Sequence, residues 1–238
     1  NPSIVSHPDQ SGLEAGATRF VLSLRGVGEG HISSVTFRTG AIQPDGAIVL
    51  DSSPRLATTP AVRSRTPVIN GEEIEVIFRP TTRLDERVIF PITEAQRNGI
   101  EDARFVLLQG GERARWYATY TAYSGKAIRS ELIETSDFLS FRMSPLKGTA
   151  AHNKGMALFP RKIDGQYAMI ARQDNENLYL IYSDDLHQWD GGQAILKPQF
   201  PWEFVQIGNC GSPIELDEGW LLLTHGVGPV RKYSIGAA

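Results

Sequence analysis

The sequence predicts an all-β protein, a β-propeller built from repeated sheet units, on three observations. Short aromatic and apolar runs such as Phe20-Val21-Leu22-Ser23-Leu24, Trp116-Tyr117-Ala118-Thr119-Tyr120, Leu178-Tyr179-Leu180-Ile181-Tyr182 and Trp220-Leu221-Leu222-Leu223 are bounded by turn formers, while helical patterns are scarce. The segments Gln109-Gly110-Gly111-Glu112, Lys162-Ile163-Asp164-Gly165-Gln166 and Asp217-Glu218-Gly219 each separate two such runs, as hairpin connections do. The runs also recur at a nearly fixed spacing.

That spacing defines the units in order. RFVLLQGGERARWYATYTAY, LFPRKIDGQYAMIARQ and SPIELDEGWLLLTHGV each read strand, polar turn, strand opening on an aromatic, and the aromatics Trp116, Tyr167 and Trp220 stand 51 and 53 residues apart. Ser-Asp-Phe-Leu at 136–139 and Ser-Asp-Asp-Leu at 183–186 repeat after 47 residues. A period near that of kelch blades, with three or four short strands per unit, is a propeller signature. RFVLSLRGVGEGHISSVTFRTG, residues 19–40, reads as an earlier blade. The interval 41–98 fits the period poorly: it holds Pro44, Pro54, Pro60, Pro67, Pro80 and Pro91 and a mixed-charge run from Thr81 to Arg87. It reads as an insertion, a lid or contact arm, with a degenerate blade as the rival. The last residues, Lys232 to Ala238, read as a strand entering a further unit. Because a propeller closes its ring to hide sheet edges, the expectation is one domain over 1–238 whose C-terminal part is missing, or a ring closed by a partner chain.

Composition narrows the function classes. With 238 residues, 41% of them hydrophobic, the chain can bury a sizeable core. A net charge of −3 with scattered Lys and Arg gives no footprint for nucleic acid or an anionic membrane. The single cysteine, Cys210, fits a reducing compartment, so a cytoplasmic location is expected, although a chain starting at Asn1 leaves a removed leader open. His7, His31, His152 and His187 show no metal-ligand spacing, and Gly26-Val27-Gly28-Glu29-Gly30 lacks the helix pattern of a phosphate loop and reads as a blade turn.

In a propeller the innermost strands converge on a channel, so residues at their starts meet at one mouth. Glu101, Asp102 and Arg104 stand there in one unit, His152-Asn153-Lys154 in the next, and Asn209-Cys210-Gly211-Ser212-Pro213 in the one after. Arg25, Arg172 and His225 follow the second strands of their own units. A pocket with a carboxyl and several hydroxyl-binding and anion-binding groups suits a sugar and a phosphate. Trp202 falls outside the repeat and is a candidate for stacking on a sugar ring, whereas Trp116, Tyr167 and Trp220 recur with it and read as core.

Taken together, Asn1-Pro2-Ser3, Leu24-Arg25, Gly99-Ile100-Glu101-Asp102-Ala103-Arg104, Tyr120-Thr121-Ala122-Tyr123, Lys154-Gly155-Met156-Ala157-Leu158-Phe159-Pro160, Gly211-Ser212-Pro213-Ile214 and His225-Gly226-Val227 resemble glycoside hydrolase family 130. That family contains β-mannoside phosphorylases and β-1,2-mannosidases on a five-bladed β-propeller. Ala103 stands where members usually carry proline. The resemblance implies inversion at the anomeric centre, with Asp102 as the catalytic acid, delivering its proton in the phosphorylases through a hydroxyl of the bound mannose. It also implies Asn1, Ser3 and Arg25 as mannose contacts. A protonated Asp102 would be favoured by a neighbouring Glu101, so Arg104 is expected to point to sugar hydroxyls or to Glu101.

The acceptor divides the readings. Phosphorolysis needs cations around inorganic phosphate as co-substrate, with Lys154, His225 and Arg129 or Arg172 as candidates, and no other cofactor. Hydrolysis needs a carboxylate base roughly 6.5–9.5 Å from the acid, for which Glu203 is the best candidate and Glu176 a weaker one. The motifs that hold Lys154 and His225 resemble the family's phosphate-binding ones, and that resemblance favours phosphorolysis slightly. A non-catalytic carbohydrate-binding propeller and a furanosidase-type enzyme are the other readings, the latter lacking an evident third acidic residue. The expected partner is a mannoside or oligosaccharide, with self-association into a homo-oligomer left open.

Overall fold

The computed structural model describes residues 2–53, 55–110 and 114–238. Asn1 and part of the first predicted turn, residues 111–112, lie outside the described residues. The described chain is almost entirely antiparallel β-structure, laid down as four successive sheet units.

The first unit pairs β1 (Ser3–Ser6), β2 (Thr18–Val27), β3 (Ser33–Ile42) and β4 (Ile48–Leu50) in order. The hairpin β5 (Ala61–Val68) and β6 (Gly71–Ile77) follows, then the short β7 (Val88–Ile89). The second unit runs β8 (Gly99–Leu108), β9 (Arg115–Tyr123), β10 (Ile128–Thr135) and β11 (Ser140–Pro145), and β6 pairs with β11 so that the earlier hairpin forms its outer edge. The third unit is β12 (Ala157–Leu158), β13 (Tyr167–Ala171), β14 (Leu178–Ser183) and β15 (Gln193–Leu196). In the fourth, β16 (Gln206–Asn209) and β17 (Ile214–Leu216) are two halves of one arm, answered by β18 (Gly219–Leu221) and β19 (Leu223–Val227), with β20 (Tyr233–Ala237) beside β19.

The interval 41–98 is therefore built into the sheets and does not stand apart as a lid. Its β4 completes the first unit, and Ile74, Val76 and Phe78 enter the core. What disguised it is edge chemistry: β5 is the outermost strand, where Arg63 and Arg65 pair with Glu75 and Glu72 and Pro67 removes a backbone donor. Charged residues and proline are the usual protection of an exposed sheet edge, and they erase the apolar pattern by which strands are recognised.

Three cores lie at successive unit contacts. Phe37 and Phe141 stack with ring centroids 5.9 Å apart inside the first, Leu132 and Trp189 lie in the second, and Phe159, Ile170 and Leu222 lie in the third. Neighbouring residues of one strand enter different cores: Phe105 and Val106, Trp116 and Tyr117, Met169 and Ile170. The middle sheets are thus covered on both faces, which is why Phe105-Val106-Leu107-Leu108 is continuously apolar instead of alternating. Each such aromatic or branched side chain contributes about 1.5–3 kcal/mol by leaving water. Tight turns close the hairpins where expected; Asp164 and Gly165 both take positive φ, 50° and 86°, between β12 and β13. Among the described residues no helix is long and apolar enough to cross a membrane.

Candidate active site

The site begins with an irregularity in β8. Glu101 pairs with Thr121 and Arg104 with Thr119, so Asp102 and Ala103 together oppose the single residue Tyr120. This is a β-bulge, which inserts one residue and breaks the two-residue alternation of side chains. Its consequence is that Glu101 and Arg104, three apart, share one face, while Ile100 and Phe105 share the other and enter the core. Asp102, at the bulge, has φ +54°, a left-handed conformation that aspartate tolerates better than most residues.

Around this bulge the other units contribute cations. Arg25 Nη2 donates to Glu101 Oε1 at 2.9 Å, and its Nη1 lies 3.9 Å from Asp102 Oδ1. Lys154 Nζ donates to Glu101 Oε2 at 2.6 Å. Both oxygens of the buried Glu101 are therefore held by cations, and its role is to fix Arg25 and Lys154. Arg104 does not meet Glu101; it is buried and reaches across to the carbonyl of Asn209, 3.5 Å from Nη2. Burial, helped by the neighbouring Arg172 charge and opposed by Asp102, weakens the Arg104 guanidinium's hold on its proton, and burial does the same to Arg172. The Nε of each is buried without a hydrogen-bond partner.

His225 stands over Gly208, its cross-strand partner. A Cβ on Gly208 would lie 2.6 Å from the imidazole and 2.9 Å from Arg172 Nη1, so the glycine makes the space in which the two side chains meet. Burial first, then the charges of Arg172 and Arg104, depress His225 to about 4. At neutral pH the imidazole is uncharged, able to donate from one ring nitrogen and accept at the other. Cys210 Sγ lies 3.9 Å from its Nδ1. Four cationic side chains, Arg25, Arg104, Lys154 and Arg172, thus surround two carboxyls, Glu101 and Asp102.

Four predicted residues sit differently. Arg129 is outside this cluster: it aligns through Ala122 with Ile100, on the face opposite Glu101, where its Nε donates to the buried Glu131 at 2.6 Å and its Nη1 to the Asn70 carbonyl. It completes a buried network of Glu131, Tyr120 and Gln96, and is unavailable to an anion at the mouth. Glu203 caps its own turn, its Oε2 accepting from the backbone of Gln199 at 2.9 Å and Phe200 at 3.2 Å. Gln96, 107 residues earlier or two repeats back, does the same to Ile92 and Thr93 at 2.9 and 3.3 Å. The recurrence marks Glu203 as a structural element of the unit, which corrects its assignment as a base. The Ser3 hydroxyl is engaged by Ser23 at 2.7 Å, by the Phe105 amide at 2.9 Å and by the Ala103 carbonyl at 3.2 Å. Trp202 is partly exposed and lies parallel on Phe200, centroids 4.6 Å apart, forming a flat aromatic surface.

The sequence places Asn209 among the converging strand starts without giving it a role; its buried side-chain oxygen has no hydrogen-bond partner and its carbonyl meets Arg104. The sequence likewise gives no role to Gly208, which lies against His225 and Arg172, or to Gly155, which lies against Asn209 and Arg172.

Stacked β-units whose strand ends gather carboxyls and guanidinium groups in one place define a charge-lined site of the kind that holds hydroxylated or anionic ligands. A family profile described as beta-1,4-mannooligosaccharide phosphorylase matches residues 69–238, and the chain belongs to glycoside hydrolase family 130. The 1,2-beta-oligomannan phosphorylase of Thermoanaerobacter sp. (strain X514) is 32% identical over 161 residues, covering 65% of this chain and 52% of that one. The beta-1,2-mannobiose phosphorylase of Listeria innocua is 32% identical over 165 residues, covering 65% and 44%. The solved Listeria innocua beta-1,2-mannobiose phosphorylase, in complex with beta-1,2-mannobiose, superposes over 100% of this chain and 78% of its own with a TM-score of 0.58 at 19% identity. The chain spans about half the length of the curated relatives it matches.

Proposed function

We propose that the chain is part of a five-bladed propeller that cleaves β-mannosides by phosphorolysis with inversion, releasing mannose 1-phosphate. The observation that carries this reading is the cationic surplus at the mouth: Arg25, Arg104, Lys154 and Arg172 against Glu101 and Asp102, with two buried guanidinium Nε atoms lacking partners. Such a set holds an anion well, since guanidinium groups match phosphate oxygens in pairs. The curated relatives are phosphorylases of β-mannosides, which supports the same choice.

In this mechanism Asp102 supplies a proton that ends on the leaving sugar's oxygen, directly or through a hydroxyl of the bound mannose. A phosphate oxygen attacks the anomeric carbon from the opposite face; the bond from that carbon to the aglycone oxygen breaks as its bond to the phosphate oxygen forms, inverting the configuration. Arg104 and Arg172 offset the phosphate charge, and neutral His225 orients it by a hydrogen bond. Arg25 and Lys154, fixed by Glu101, border the sugar. The aromatic surface of Trp202 offers a stacking face for a further ring. Hydrolysis is the lesser reading, because its candidate base, Glu203, is engaged with backbone amides.

The test uses the full-length protein carrying this chain, incubated with β-1,2-mannobiose or a mannosyl-glucose, with and without inorganic phosphate. Mannose 1-phosphate formed only with phosphate is expected; free mannose at a phosphate-independent rate would refute phosphorolysis. Asp102→Asn should lower turnover by at least ~10²-fold while sugar affinity is kept. Unaltered turnover would remove Asp102 from the proton transfer, and sugar binding with no turnover in the wild type would favour a binding module.

A further inference from the structure

We infer that Ser3 and Ser23 form a hydroxyl clamp that sets the position of Asp102, so that Ser3 is a positioning residue and not a sugar contact. This rests on the reading of Asp102 as the proton donor.

The bulge needs something to hold it. An inserted residue leaves local backbone groups without the ladder partners of a regular strand, and a left-handed aspartate persists only where its surroundings over-determine it. The backbone groups immediately after Asp102 are met by side chains of the first unit. Ser3 Oγ accepts from the Phe105 amide at 2.9 Å and lies 3.2 Å from the Ala103 carbonyl. Ser23 Oγ lies 3.4 Å from that same carbonyl and 2.7 Å from Ser3 Oγ. Ser3 and Ser23 are cross-strand partners on β1 and β2, so the pair is in fixed register before it touches β8. With the amide donating to it, Ser3 has its own proton available for either Ser23 or Ala103, and Ser23 supplies the other bond. The two hydroxyls together satisfy the Ala103 carbonyl within the bulge and the Phe105 amide just after it.

Burial separates this role from substrate contact. Ser23 is 2% exposed and cannot reach a ligand, yet it shares the Ala103 carbonyl with Ser3 and is hydrogen-bonded to it. A clamp requires both serines, whereas a sugar contact requires Ser3 alone. Two residues along the same strand, β2 also carries Arg25, which contacts both Glu101 and Asp102. The first unit therefore grips the bulge at its backbone through serines and at its carboxyls through arginine.

The experiment is steady-state phosphorolysis of β-1,2-mannobiose by the full-length protein with Ser3→Ala, Ser23→Ala and Ser3→Thr, together with hydrogen exchange of the 103–106 backbone. Ser3→Ala should lower kcat by ~10–100-fold with KM within ~2-fold, because a donor misplaced by a fraction of an ångström loses the transition state and leaves ground-state binding intact. Ser23→Ala should lower kcat in the same direction, Ser3→Thr should restore most of the rate, and the Phe105 amide should exchange faster in Ser3→Ala. A raised KM with kcat preserved in Ser3→Ala, and no effect of Ser23→Ala, would overturn the clamp in favour of a sugar contact. Unchanged Phe105 exchange would overturn it as well. If the wild type fails to cleave mannosides, or Asp102→Asn keeps full activity, the donor reading fails; exchange at Phe105 still decides whether the hydroxyls hold the bulge.

Discussion

Adding inorganic phosphate should change the protonation of His225. Burial and the charges of Arg172 and Arg104 hold this imidazole at about 4, against an ordinary 6.5. An anion seated against those guanidiniums at ~5 Å from the ring, in a medium of effective dielectric ~20, favours the imidazolium by ~3 kcal/mol per unit charge. That corresponds to a rise of ~2 pH units, to ~6. The assay is a pH titration of the histidine ring protons by NMR, with and without saturating phosphate and with chloride matching the ionic strength. The chain has five histidines, and His225→Gln assigns the relevant signal. A midpoint of ~6.5 without phosphate would refute the buried, cationic environment; a midpoint indifferent to phosphate would remove the anion from beside His225. The linkage has a definite sign. A histidine depressed in the folded state leaves the unfolded chain to take up protons first, so its contribution to stability is complete above 6.5 and is lost as the pH falls toward 4. Phosphate should narrow that loss.

Three further outcomes follow from the geometry. Glu203→Gln keeps an acceptor for the Gln199 and Phe200 amides and should leave turnover within a few-fold, whereas Glu203→Ala should cost ~1 kcal/mol of stability by denaturant titration; loss of turnover in Glu203→Gln alone would reinstate it as a base. Gly208→Ala places a methyl 2.6 Å from His225 and 2.9 Å from Arg172, and should raise KM for phosphate by ~10-fold or more with a smaller effect on the mannoside; equal effects on both substrates would argue against an anion there. Arg129→Met strands the buried Glu131 and should lower stability by ~3 kcal/mol, seen as a fall in Tm, with KM for phosphate unchanged; a phosphate-specific defect in a stable protein would return Arg129 to the site.

Much of the architecture was legible because the repeat is local: a strand, a turn and an aromatic-led strand are written within about twenty residues each. The long interval at 41–98 was not, since the exposed edge strand β5 carries Arg63, Arg65 and Pro67 where an inner strand carries valine, and its hairpin joins the sheet only through β6, whose partner β11 lies more than sixty residues on. At the site, Arg25, Glu101, Asp102, Arg104, Lys154, Arg172 and His225 could be gathered because strand ends converge. The pairing within the group could not be read: that Lys154 meets Glu101 and Arg104 meets Asn209 depends on a one-residue bulge, for which Glu-Asp-Ala-Arg has no unique signal. Arg129 and Glu203 were misplaced for one reason. Each lies near the mouth in sequence, and only register and hydrogen bonding show that the first faces away and the second holds its own backbone.

The turns that follow β2 and β19 have nearly the same form. Gly28 and Gly228 have φ of −97° and −91°, Gly30 and Val230 take φ of 70° and 53°, and the chain leaves through Ile32 and Lys232 with ψ of 120° and 122°. Arg25 and His225 precede these turns by the same count, so they are one address in two copies of a module. A fixed charge stands in one copy and a neutral ring in the other, and the backbone is indifferent to which. The letters at 25 and 225 therefore form a keypad on which the pocket's charge and reach can be rewritten, by natural divergence or in a combinatorial library, while the sheets behind them keep their shape.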